Sequence, residues 1–170
     1  GHMSLSDISN PLLVLRGYLW DTFIQIDPSL LDIYGTTVPI FPIADTYAGN
    51  DIWKNKAYFI YNTVYGRPVD EFYPVKTELV HYSLKGDASQ TFQWSRALQF
   101  ILDRQDDAAK DVNEWNRLYG QSDIFFHNIR VFQVEKSAGR NYITDQNVIT
   151  DMIVKITYHY TSTIDDIIKV

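Results

Sequence analysis

Two stretches set the hydrophobic pattern of this chain. Residues 87–104 (DASQTFQWSRALQFILDR) place Trp94, Ala97, Leu98, Ile101 and Leu102 at i, i+3, i+4, i+7 and i+8, the apolar stripe of a helix. Residues 148–162 instead alternate, with Val148, Met152, Val154, Ile156, Tyr158 and Tyr160 on one parity. Asp151, Lys155, Thr157 and His159 take the other, so the segment reads as a long strand with one buried face. Together they predict a helix laid on a sheet whose far side meets solvent.

The remaining elements follow from local signals. Asn10 caps a helix that Pro11 opens, and Leu12, Leu15, Leu19, Phe23 and Ile26 keep helical spacing until Asp27, which precedes a proline. A single extra turn over 29–33 is closed by Gly35. Residues 38–44 are β-like, but Pro39 and Pro42 lack ladder donors and confine them to an edge or to a place outside the sheet. Strands are predicted over 56–65, where both parities are apolar, and over 74–85, with 66–73 as the loop between. Asp87 and Gln90 have capping-box spacing ahead of the central helix. Asp106 or Asp107 caps a second, shorter helix striped by Ala108, Val112, Trp115 and Tyr119 and ended by Gly120. Strands over 124–135 and 148–162, joined by a long polar connection, complete the order. This order predicts one α+β domain: a mainly antiparallel sheet of four to five strands with helices packed on one face.

Composition narrows the class. A chain of 170 residues with 45% hydrophobic residues suits one domain with one core, residues 4–170, behind a tag remnant, Gly1-His2-Met3. No signal peptide is expected, and no apolar run reaches the length of a membrane span. The absence of cysteine removes disulfides and thiolate chemistry, and the net charge of −6 disfavours a nucleic-acid surface.

Candidate chemistry is sparse. His81, His127 and His159 fall one to a strand at spacings that match no metal motif, so they read as strand-face histidines, with no metal or cofactor site expected. Acid pairs stand at Asp70-Glu71, Asp106-Asp107 and Asp165-Asp166, but sequence neighbours seldom converge on one reacting atom. Glycine-rich phosphate loops and the G-x-S-x-G elbow are missing. Tyrosine is abundant, with 12 residues, and Tyr65 and Tyr73 flank a loop where a core has no use for them. Such surplus aromatics suit a protein–protein interface.

Taken in order, the segments resemble the tail-terminator and tail-completion (head–tail joining) proteins of long-tailed bacteriophages. The resemblance is carried by the Asp-Pro turn ending in glycine (IDPSLLDIYG), the proline-bearing VPIFPI and the strand AYFIYNTV. The strand running into the main helix (VHYSLKGDASQTFQWSRALQFILD) and a long terminal hairpin with SAGRNYITDQ at its tip complete it. It implies a non-enzymatic virion protein, assembled in the host cytoplasm, that forms a ring, commonly a hexamer. Such a ring caps the tail tube and joins it to the head connector, and its subunit is monomeric until a tube end supplies the template. In that setting the two long loops become contacts with neighbouring subunits or the tube. Arg67, Asp70, Glu71, Phe72 and Tyr73 would serve in the first, and Arg140, Tyr142 and Asp145 in the second, as planar cations, carboxylates and aromatic anchors. Two other classes stay open: a small enzyme or ligand-binding domain with a helix–sheet pocket lined by Trp94, Tyr158 and His81, and a cytosolic protein–protein adaptor.

Overall fold

In a computed structural model, residues 4–43, 56–68, 75–104, 106–136 and 148–168 are described, with backbone alone at 64–68, 88, 133–136, 148 and 149. Helix α1 (Pro11–Ile26) begins where Asn10 accepts from the Leu12 N–H at 2.9 Å and ends at Asp27. The extra turn forms as α2 (Leu30–Tyr34), and Gly35 follows it at φ 59°, a left-handed conformation that costs glycine little. Strand β1 (Ile40–Pro42) is indeed an edge, three residues long. It pairs parallel to β2 (Tyr58–Pro68), an arrangement the proline pattern left open.

The other strands are β3 (Lys76–Gly86), β4 (Ile124–Lys136) and β5 (Val148–Tyr160), in the spatial order β1-β2-β3-β5-β4, with every pair after the first antiparallel. The fold is α+β, as the order of elements implied. Strand β2 runs through Gly66, Arg67 and Pro68, which pair with Glu78, Thr77 and Lys76, so the first three residues of the expected 66–73 loop belong to the sheet. Cross-strand pairing here overrides the turn preference of glycine and proline.

Helices α3 (Ala88–Leu102) and α4 (Asp106–Trp115) cover one face of the sheet, and α1 packs across both. One core unites Leu98, Ile101 and Leu102 of α3 with Val80, Tyr82 and Leu84 of β3 and Met152, Val154 and Ile156 of β5. Trp94 packs against that core within an aromatic group of Trp20, Phe23, Tyr34 and Phe59. The opposite parity of β5, including Asp151 and Lys155, lies on the outer face, where no helix covers it among the described residues.

Three local expectations change. Asp87 caps α3 by accepting from the Gln90 N–H at 2.8 Å, but Gln90 Oε1 takes no hydrogen bond, so the capping box is half made. Asp106 and Asp107 sit inside the first turn of α4, not at its cap, where they still complement the helix dipole. The stripe of α4 ends at Trp115: the chain then makes a wider π-turn (Asn116–Gly120), and Tyr119 is 69% exposed.

That π-turn and the end of α4 secure the sheet's β4 edge. Asn113 donates to Phe126 O at 2.9 Å and accepts from Phe126 N at 2.8 Å. Buried Asn116 donates to Ser122 O and Ile124 O and accepts from the Ser122 N–H and hydroxyl. Side-chain amides thereby occupy backbone groups that an edge strand would otherwise leave open. Farther along, bulges at His127 and Phe132 break the regular ladder.

Candidate functional site

The strand directions decide where the two segments expected to form interfaces leave the sheet. Pro68 pairs with Lys76, and Lys76 with Tyr158, at one end; Gly86 pairs with Val148, and Lys136 with Thr150, at the other. Ten residues of β3 separate the ends, roughly 33 Å at 3.3 Å per residue. Arg67 lies on β2 opposite Thr77. Asp70, Glu71, Phe72 and Tyr73 lie outside the described residues, as do Arg140, Tyr142 and Asp145. The strands that lead into these two segments therefore end at opposite ends of one sheet.

The β2–β3 end also holds a polar cluster on the helix-covered face. Glu78 shares the parity of Val80, Tyr82 and Leu84, and its Oε2 is buried without a hydrogen-bond partner. Burial raises its pKa, against the opposing pull of the Tyr158 hydroxyl, which lies within hydrogen-bonding reach, and of the Lys76 ammonium. The Tyr158 hydroxyl is in turn pushed well above the ordinary tyrosine range, first by burial and then by the nearby Glu78 charge. Lys76 lies 6.0 Å from the centroid of the Tyr160 ring, at the limit of cation–π contact. Beside them opens a cleft of about 400 Å³ between the N-terminal segment and α5 (Ile164–Ile168), lined by Ile8, Lys76, Asp123, Tyr160, Ile164 and Ile167. Its walls are chiefly apolar, and Asp7, Lys76 and Asp123 are the charged residues that line it. Glu78 was the legible signal here, a carboxylate on the core parity of its strand, and the periodicity reading passed over it.

The histidines divide. His81 and Asp151 meet on the outer face, with His81 Nε2 2.9 Å from Asp151 Oδ1. Ser83 Oγ donates to the same oxygen at 2.7 Å. The serine thus faces the carboxylate and not the imidazole, so the three do not form a relay that activates a hydroxyl. His127 and His159 come together on β4 and β5, with Nε2 and Nδ1 2.6 Å apart and the Phe125 ring beside both. His127 has a lowered pKa, through burial first and the neighbouring imidazole second. No group of three or more metal-ligating side chains occurs among the described residues.

The helix–sheet pocket expected from Trp94, Tyr158 and His81 does not form. Trp94 and Tyr158 face the core, whereas His81 lies on the outer side of β3. Asp70-Glu71 lies outside the described residues, and the other two acid pairs serve local structure: Asp106 accepts from Asn128 at 3.1 Å, while Asp166 accepts from the N–H and hydroxyl of Thr163 at the start of α5. No helix of the described residues is long and apolar enough to cross a membrane. Compared with protein-family models and with curated proteins, the chain finds no match.

Proposed function

We infer that this chain is a non-enzymatic virion component of the tail-terminator or tail-completion kind. It assembles into a ring, hexameric by resemblance, on the end of a bacteriophage tail tube and joins that tube to the head connector. The reading is supported by one placement above all: the two segments that each carry an arginine together with acidic and aromatic residues are joined to opposite ends of a single sheet. A subunit in a ring between tube and connector needs two separate contact ends, and a sheet roughly 33 Å long supplies them. A cyclic ring also needs two different lateral patches that meet head to tail. Among the described residues, the outer face carries no helix and β4 has no further strand beside it, which suits them to that use.

The test is assembly. Absolute mass in solution across a concentration series, with and without tail tubes, is expected to show a monomer alone and a ring on tube ends. Arg140→Glu and a 66–73 segment shortened only beyond Pro68, where β2 ends, should each weaken capping while leaving the monomer's thermal midpoint nearly unchanged. Normal capping by both variants removes the interface assignment. Failure of the natural chain to bind tube ends removes the functional reading.

A further inference from the structure

The geometry points to a two-imidazole site for a borderline transition-metal ion, such as Zn²⁺ or Ni²⁺, formed by His127 and His159 on the outer face of the sheet. The two residues are 32 positions apart and are brought together by register alone. His127 is the extra residue of the bulge between Phe126 and Asn128, and His159 lies on β5 opposite Phe125. A bulge re-aims a side chain, and here it sets His127 Nε2 against His159 Nδ1 at 2.6 Å. Their ring centroids are only 4.8 Å apart, so the nitrogens face each other across the gap.

Two nitrogens bound to one tetrahedral ion at about 2.0–2.1 Å stand roughly 3.3 Å apart. The rings must therefore part by roughly 0.7 Å and tilt, a movement available to exposed side chains on neighbouring strands. The strands fix the spacing of the backbones, so most of the ordering needed to gather two ligands is already done by the fold. Phe125 contacts both rings at centroid distances of 5.3 and 5.5 Å and limits their other orientations. Imidazole pairs suit zinc, nickel and copper, whereas magnesium and calcium call for oxygen ligands. Solvent fills the remaining coordination positions. Two protein ligands make a weaker site than a closed structural zinc centre, and an accessible one.

The competing account is a plain N–H···N hydrogen bond between neutral imidazoles, and titration with the metal alone separates the two. The experiment uses the full chain with His2→Ala, because Gly1-His2 of the tag remnant is itself a chelator. Calorimetry with Zn²⁺ and with Ni²⁺ at neutral pH should give one equivalent per chain. Either His127→Gln or His159→Gln should abolish that binding, and His81→Gln should leave it unchanged. Far-ultraviolet circular dichroism of each variant confirms that the sheet is intact. Absence of binding in the His2→Ala chain, or binding that survives both single substitutions, overturns the site.

Discussion

The indole of Trp115 lies against the side of α1 left bare by Gly17, and its ring N–H donates to Asp21 Oδ2 at 2.7 Å. Gly17 is thus the point at which α4 approaches α1, and a Cβ there would run into the Trp115 ring. Gly17→Ala sets two effects against each other. Alanine gains about 1 kcal/mol of helix propensity, while overpacking costs about 1–3 kcal/mol. The hydrogen bond to Asp21 restrains the indole from moving aside, so the clash should win. Urea unfolding should show a lower midpoint at unchanged m-value; a raised midpoint would mean that the ring relaxes freely.

Leu98 is fully buried between α3 and the sheet, in the same core as Met152, Val154 and Ile156. Leu98→Ala should cost ~2–5 kcal/mol, with the larger values if the cavity does not collapse. Lys155→Ala on the outer face is the control and should stay within about 0.5 kcal/mol. A loss at Leu98 no larger than that of the control would show that the helix presents another face.

Much of this architecture was legible because it rests on local chemistry or simple periodicity. Asn10, Pro11 and Asp27 mark the bounds of α1, Gly35 marks the end of α2, and the parity of Met152, Val154 and Ile156 gives the buried face of β5. What escaped depends on pairing between distant segments. Gly66, Arg67 and Pro68 look like a turn until Lys76, Thr77 and Glu78 stand opposite them. The His127–His159 approach comes from a bulge and a register that no spacing along the chain encodes. The interface assignment at Arg67 rests on a segment whose strand continuation was not foreseen, while Arg140 and its neighbours lie outside the described residues.

Asn113 is a prediction about the sheet edge. Its amide satisfies both backbone groups of Phe126 on β4, a buried residue with no strand beyond it among the described residues. Asn113→Ala strips both bonds at once and leaves the Phe126 N–H and carbonyl without those partners. The expected loss is about 1–3 kcal/mol, the cost of an unsatisfied buried polar group. Hydrogen exchange should locate the effect, with the Phe126 amide losing protection ahead of Val154. Protection unchanged at Phe126 would show that water replaces the asparagine at no cost.

Glu78 gives the pH dependence of stability. Its pKa is raised in the folded state, mainly because burial penalises the carboxylate. The folded chain therefore holds the Glu78 proton to higher pH than the unfolded chain does. Where the native state binds more protons, stability falls as pH rises. This contribution is fully favourable below the unfolded glutamate pKa, about 4.3, and is lost as pH climbs from there through the raised folded value. Glu78→Gln keeps the shape, cannot ionise, and retains an acceptor for the Tyr158 hydroxyl. It should be more stable than the natural chain at pH 7 and should lose most of that advantage near pH 4. Thermal midpoints of the two chains measured from pH 4 to pH 8 should therefore diverge upward, and parallel curves would show that Lys76 and Tyr158 fully compensate the buried charge.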